Sequence, residues 1–338
     1  MNFKHQIKRA LSPLFGPYFK GRGHILMLHR IVPESDHPRV HNTVNEISPK
    51  QLSDLIEFYQ SHKVDIISIT DVPDYLKSGS GYFVVFTFDD GYKDNLTEAL
   101  PVFESHEVPF TVYITTGFPD NNISIWWYLL EKVLLSNEGI QFNWANQKHQ
   151  FKCATPQQKE DVFNIIRRII IDTPFHQQQE QLKTAFSQHT DDPYAITAEL
   201  AMNWDEIKEL AQSPWVTIGA HTVHHPALNQ LNATENVEEC LGSKERLEAK
   251  LNHPVEHFSY PFGSANEVGE REFIIIKEMG FRTATTTRWG SIYRAHLRHL
   301  QKLPRIPVKP DISVQFLEEV IKGRENFIRG SKKRVVTI

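Results

Sequence analysis

Two adjacent carboxylates, Asp89 and Asp90, end the apolar run FVVFTFDDGYKDN (83–95) and stand directly before a glycine. Neighbouring side chains of a strand point to opposite faces, so the pair need not share one environment and the two acids can hold different jobs. A second group follows another apolar run, WVTIGA (215–220), where HTVHHPAL carries His221, His224 and His225. A spacing of four lets a helical turn or compact loop aim His221 and His225 at one metal ion and turns His224 elsewhere. Core or surface histidines explain such a spacing equally well when it stands alone. Both groups, however, follow strands, and at that end of a β/α architecture loops converge on a site.

TFDDG (87–91) together with HTVHH (221–225) resembles the paired signatures of the polysaccharide deacetylase family, the NodB-like carbohydrate esterases. The resemblance implies Asp89 as general base, with Asp90, His221 and His225 as ligands of a divalent metal. Zinc is the first choice for that metal, and cobalt, nickel and manganese are the alternatives. FSYPFG (258–263) is similar to a family loop that lines the substrate groove. It implies Tyr260, Pro261 and Phe262 as groove residues, with a backbone N–H near Tyr260 holding the oxyanion. Ser259 stands where that loop commonly carries an arginine, so Arg305 of LPRIPV becomes the candidate for orienting Asp89. The usual late leucine-x-histidine signature is absent as such. His29, at the end of HILMLHR, instead resembles the general acid of the circularly permuted branch, in which that histidine arrives on the first strand. A site assembled in space tolerates such a change of chain order. His296 and His299, in the polar and basic RAHLRH, are expected to be solvated.

One carboxylate and two imidazoles leave coordination positions open for water and an amide carbonyl, and zinc lowers the pKa of its water towards ~7. Asp89, not needed as a ligand, accepts the proton, and His29 donates to the departing amine. The resemblance thus implies metal-dependent hydrolytic deacetylation of an N-acetylated sugar. The expected substrate is an N-acetylhexosamine in a surface glycan or in its lipid-linked or nucleotide-linked precursor. The alternative is a catalytically inactive carbohydrate-binding module of the same fold, against which the intact Asp89 and His29 weigh. A non-haem Fe2+ oxygenase shares the ligand types but leaves the second aspartate and FSYPFG unexplained.

Strand ends must position these residues. HILMLHRI (24–31), VDIISI (64–69), FVVFTF (83–88), FTVYIT (110–115), WVTIGA (215–220), HFSY (257–260) and FRTATT (281–286) read as strands. Helical patterns lie between several of them, including ENVEECLGSKERLEAKLN, in which Val237, Leu241, Leu247 and Leu251 form an apolar stripe. The fold class is therefore α/β, a distorted (β/α) barrel of about seven strands. Residues 118–203 break the rhythm and exceed an ordinary barrel connection, which predicts an inserted helical segment. Its Trp126, Trp127 and Tyr128 either anchor the insert or form a sugar-stacking wall. The chain divides into a basic amphipathic segment (1–23), the NodB-like barrel (24–320) and a basic tail (321–338).

The 338 residues, 40% hydrophobic, suffice for a large core. With 37 bases against 41 acids, the net charge of -4 gives no electrostatic reason for a nucleic-acid partner. Cys153 and Cys240 lack disulfide or metal-motif spacing and are expected as buried thiols. Residues 1–23 lack the pattern of a secretory signal, and no stretch reaches the ~18–20 apolar residues of a membrane span, so the expected location is cytoplasmic. Residues 1–22 mix Lys4, Lys8, Arg9, Lys20 and Arg22 with Phe3, Ile7, Leu11, Leu14, Phe15 and Phe19, without an acid. That composition fits either a peripheral contact with an anionic inner membrane surface or a core-facing stripe, with Pro13 and Pro17 expected to interrupt any long helix. The sequence carries no signature of oligomeric state.

Overall fold

In FVVFTF, alternate residues have two places to go. Phe86 and Phe88 pack edge-on against Phe103 beneath the surrounding helices, while Thr87 meets Arg305. That alternation is what a barrel strand requires. A computed structural model describes residues 3–33, 42–79, 81–190, 192–329 and 334–337. Seven such strands form the barrel: β1 (Gly23–Leu28), β2 (Phe83–Phe88), β3 (Phe110–Ile114), β4 (Val216–Ala220), β5 (His257–Ser259), β6 (Thr283–Trp289) and β7 (Leu303–Pro307). They follow one another around the ring in chain order, all parallel, and β1 closes it by pairing with both β2 and β7. The expected seven-stranded α/β barrel is the fold.

Strand membership differs from the sequence reading at two places. VDIISI supplies only the short strand Asp65–Ile66, which pairs with the start of β2 outside the ring. β3 joins β2 only at the end of β2, at Thr87 and Phe88, so this short strand fills the seam where the two diverge. The seventh barrel strand is LPRIP, whose two prolines and buried arginine hide the apolar pattern that marks the other strands. Between β6 and β7 the register slips by two residues, from Thr285 opposite Leu303 to Trp289 opposite Arg305. Such a bulge re-aims backbone groups near a site.

The segment 118–203 builds a core of its own from residues such as Ile125, Leu130, Phe163 and Ile166. It is not purely helical. The antiparallel strands Gly139–Trp144 and Gln147–Lys152 form a hairpin whose turn residues, Ala145 and Asn146, both have positive φ, as a twisted two-residue turn needs. In the helix Ala233–Leu251 the buried face runs through Asn236, Cys240, Ser243 and Leu247, and Val237 is exposed. Of the expected stripe, Leu247 is buried and Leu241 and Leu251 are partly buried, but Val237 gives way to polar Asn236 and Glu239, held inward by the hydrogen bonds of Asn236 Nδ2 to Leu228 O and of Val223 N to Glu239.

The prolines at 13 and 17 do not interrupt the N-terminal helix, Phe3–Phe19. Proline 13 denies Arg9 O its N–H partner, and the Ser12 hydroxyl takes that carbonyl instead at 2.8 Å. His296 is buried rather than solvated: Tyr293 N–H donates to its Nδ1 at 2.9 Å, and burial lowers its pKa to about 4. His299 is partly exposed. Cys153 and Cys240 are buried free thiols.

Two further buried histidines share this behaviour. His24 lies between the hydroxyls of Tyr59 and Tyr82, at 2.8 and 3.1 Å, and burial lowers its pKa to about 3. His257 is lowered to about 4 by burial. The unfolded chain takes up protons at these histidines below about pH 6.5 and the folded chain does not, so stability is present above that pH and lost as pH falls. For His24 the loss between pH 7 and 5 amounts to about 2 kcal/mol. Denaturant unfolding of the metal-free protein at both pH values should show a steeper acid loss for the wild type than for His24→Gln. Equal slopes would refute a neutral buried His24.

Candidate functional site

Register brings the first two functional residues together. β1 and β2 pair in step through Leu28 opposite Phe88, and Asp89 N–H donates to Leu28 O at 3.0 Å, so His29 and Asp89 leave the barrel side by side. Asp90 then turns away with φ +76°, and Gly91 continues at φ +84° with a would-be Cβ only 2.8 Å from Ile114. The left-handed backbone separates the two carboxylates.

Asp89 goes to Arg305. The pair is bidentate, Nη1 to Oδ1 at 2.8 Å and Nη2 to Oδ2 at 2.6 Å, and both side chains are buried. The remaining donors of Arg305 reach Thr286 O at 3.0 Å, Thr87 Oγ1 at 3.2 Å and Ser259 Oγ at 3.0 Å. All five guanidinium donors are thus used. Burial by itself would raise the Asp89 carboxyl, but Arg305 and then His221 bring it below the usual carboxylate range. Ser259, which replaces the arginine expected in the FSYPFG loop, helps hold an arginine delivered from two strands further round.

Asp90 goes to the histidines. Its Oδ1 lies 3.4 Å from His221 Nε2 and 3.3 Å from His225 Nε2, and this buried oxygen has no hydrogen-bond partner. One ligand atom from each of the three residues falls within 4.8 Å of the others. His221 Nδ1 donates to Ser259 O at 2.7 Å, which leaves the Nε2 lone pair facing Asp90. An orphaned carboxylate oxygen beside two imidazole nitrogens is a donor set suited to a divalent cation. Burial opposes ionisation of Asp90, but His221 and His225 beside it keep its pKa well below the ordinary value. His224 points elsewhere, as its position predicts: its Nδ1 meets Glu239 Oε1 at 2.5 Å. The other Glu239 oxygen accepts from Val223 N and His224 N, a clamp on the ligand loop that the sequence reading missed.

The triad, Asp89 and His29 line one open cavity of about 350 Å³, together with Trp127 and Phe262. Burial lowers the His29 pKa, with Asp90 and Asp89 acting against that effect. Its carbonyl accepts from Asn95 Nδ2 at 2.9 Å, and Asp94 holds the next two residues through Arg30 Nε at 2.7 Å and Ile31 N at 3.1 Å. All three aromatics line the cavity: Trp127 sets its ring 5.1 Å from that of His225, and Trp126 and Tyr128, mostly buried, also anchor the insert. Tyr128 OH does so through Glu46, at 2.7 Å.

The FSYPFG loop is only partly as expected. The Tyr260 side chain is buried with its OH on Gln301 O, and its N–H is consumed by Thr285 O at 3.1 Å, so neither can face an oxyanion. Pro261 is buried and has no N–H. Phe262 does reach the cavity, in a left-handed conformation with φ +59° and its ring 4.9 Å from His225. Its N–H takes no part in the backbone pairing of the loop.

The model of one family, Polysaccharide deacetylase, matches residues 77–169 and 176–284, more than half of the sequence. The chain belongs to the polysaccharide deacetylase family. No curated protein matches it. Solved structures share the fold. The Streptococcus pyogenes deacetylase PplD in complex with acetate has 17% identity and a TM-score of 0.58 over 88% of this chain and 97% of that one. The putative polysaccharide deacetylase BA0330 from Bacillus anthracis has 18% identity and a TM-score of 0.57, over 88% and 68%. IcaB from Ammonifex degensii has 17% and 0.55, over 89% and 97%. At these identities the likeness is one of fold. Membership of the polysaccharide deacetylase family and the Asp90, His221 and His225 triad together support metal-dependent deacetylation of an acetylated sugar.

Asp90→Ala should remove most bound metal, while Asp89→Asn keeps it. Glu239→Ala, which frees the ligand loop, should weaken metal binding by roughly 10- to 100-fold. Metal content after dialysis against graded chelator distinguishes the three, and equal loss in Asp89→Asn and Asp90→Ala would reject the division. Arg305→Met leaves Asp89 buried and unpaired and should cost about 3–5 kcal/mol in denaturant unfolding.

Proposed function

We propose that the protein is a carbohydrate N-deacetylase that releases acetate from an N-acetylhexosamine, and that it belongs to the circularly permuted branch of its family. The observation that carries this reading is the convergence on one cavity of an ionised carboxylate, a histidine and the Asp90, His221, His225 set. A divalent ion, zinc first by the donor set, would lower the pKa of water towards ~7 and polarise the acetyl carbonyl. Asp89, kept ionised and fixed by Arg305, takes the proton of the attacking water. As the C–N bond breaks, His29 delivers a proton to the departing nitrogen. The Phe262 N–H is the loop donor available to the developing oxyanion, in place of Tyr260. Because the ring runs in chain order and closes on β1, any strand can open the sequence without moving its neighbours, which supports His29 as an acid supplied by the first strand.

The substrate we favour is a precursor carrying a diphosphate, linked to lipid or nucleotide, met at the cytoplasmic face of the inner membrane. Its support is Arg167, which shares the cavity wall with Asn164 on the insert helix Pro156–Asp172. Arg305 is committed to Asp89, whereas Arg167 makes no ion pair within 4 Å with a described residue; burial lowers its pKa, with the Glu267 charge acting against that effect. A cation so placed complements an anionic substrate group.

Acetate release from acetylated oligosaccharides and diphosphate-linked acetylated sugars tests the reading; glycan binding without any release would make the protein an inactive module. Arg167→Gln should lower kcat/KM for the diphosphate-linked sugar by roughly 10-fold or more and leave the neutral oligosaccharide unchanged. His29→Gln should lose about 10²-fold or more on the amide but little on an aryl acetate, whose leaving group needs no proton. Equal losses on both would remove the acid role. Fractionation that finds the native protein wholly outside the cytoplasmic compartment would remove the location.

A further inference from the structure

The N-terminal helix, Phe3–Phe19, turns its apolar residues outward. Ile7, Leu11, Leu14, Phe15 and Tyr18 make up half of the large apolar side chains exposed among the described residues, with Leu14 at 74% and Tyr18 at 59%. At ~100° per residue all five fall within one arc of about 100°. Only the edge of that arc packs on the body, where Phe15 stacks on Phe327 at 5.3 Å; the rest of the helix docks through another side. Its buried residues are Ser12 and Gly16, where a Cβ on Gly16 would come 2.6 Å from the Arg324 side chain. Lys8 Nζ donates to Ile328 O at 3.1 Å, and Phe19 O accepts from Tyr293 OH at 2.7 Å and Asn326 Nδ2 at 3.3 Å. The helix is therefore fixed to the body through one side and presents the stripe on another.

The charge of the segment selects what covers the stripe. Residues 1–22 contain no acid, and the exposed Arg334 lies 4.2 Å over the Tyr18 ring at the end of the stripe, while Arg9 is exposed on the far side of the helix. Two copies of so basic a helix would repel each other face to face. We propose that this helix lies in the surface of an anionic bilayer, its apolar stripe at the acyl boundary and the Arg334 guanidinium beside it at the lipid phosphates. No helix of the described residues is long and apolar enough to cross a membrane, so the contact is one of lying on the surface. Such seating would bring the enzyme to a lipid-linked sugar, but it rests on the helix alone and not on the substrate reading.

Flotation of the full-length protein tests it, with vesicles of phosphatidylcholine alone or mixed with phosphatidylglycerol. The wild type should bind the anionic vesicles roughly 10-fold or more better than the neutral ones, and lose that advantage at high salt. The double variant Leu14→Glu/Tyr18→Glu should lose binding by roughly 10-fold or more while its release of acetate from a soluble sugar is unchanged. Because both side chains are exposed, circular dichroism should report an intact fold. Undiminished binding by the variant, no binding by the wild type, or concentration-dependent dimers that the variant abolishes would each overturn the proposal. The last would assign the stripe to a second copy of the chain.

Discussion

Arg305 carries a full charge into the middle of the barrel, at 0% exposure. Taking a guanidinium and a carboxylate out of water costs several kcal/mol per ion, and the pair is tolerable only where every remaining donor is also met. Four strands share that task. β7 delivers the side chain, β2 supplies Thr87 and leads into Asp89, β5 supplies the Ser259 hydroxyl, and β6 supplies Thr286 O. Thr286 lies within the stretch where β6 and β7 slip register. The same requirement explains why Thr87 and Ser259 carry hydroxyls at positions where an aliphatic side chain would leave a donor unmet, whereas Thr286 serves through its backbone carbonyl.

Once Asp89 is held in this way it is unavailable to the cation, and the adjacent acid has to take a different path. The backbone provides it. Asp90, Thr222, His225 and Phe262 all have positive φ, at +76°, +66°, +58° and +59°. Side chains with a Cβ avoid that region, so three such residues lining one cavity, with Thr222 in the ligand loop behind them, mark strain that the surrounding structure must over-determine. Glu239 supplies part of that support by accepting from two backbone N–H groups of the histidine loop, and Thr222 Oγ1 supplies another part by accepting from His225 N. The insert adds the outer wall through Trp127, whose Nε1 is fixed on Tyr92 OH at 2.9 Å.

The sequence makes some of this visible and hides the rest for physical reasons. TFDDG and HTVHH are local: each is one strand end, so alternation and spacing are enough to separate Asp89 from Asp90 and His224 from its neighbours. Six of the seven barrel strands announce themselves as apolar runs. LPRIP does not, because a strand that must carry a buried arginine between two prolines has no apolar pattern to show. The hairpin of the insert is obscured by its polar face, NQKHQ, and the helix Ala233–Leu251 by buried polar residues whose partners lie far away in sequence. Glu239 and Thr286 O belong to that class. Their roles follow from what they meet in space, and neither residue type nor spacing marks them.

Tyr260 and Ser259 show where motif reasoning stops. In a parallel sheet the N–H of a residue at a strand end is free only if the neighbouring strand has already ended, and β6 continues past that level, so Thr285 O captures Tyr260 N–H. The donor position moves outward to the next turn, where Phe262 stands beside His225. Likewise the loss of an arginine from the FSYPFG loop is not the loss of its charge. A ring of parallel strands offers several points at equal distance from its centre, and the requirement is a guanidinium in bidentate reach of Asp89, whichever strand brings it. β7 meets that requirement because the small Ser259 leaves the room an arginine there would have filled, and its hydroxyl takes the Nη2 hydrogen that Asp89 does not.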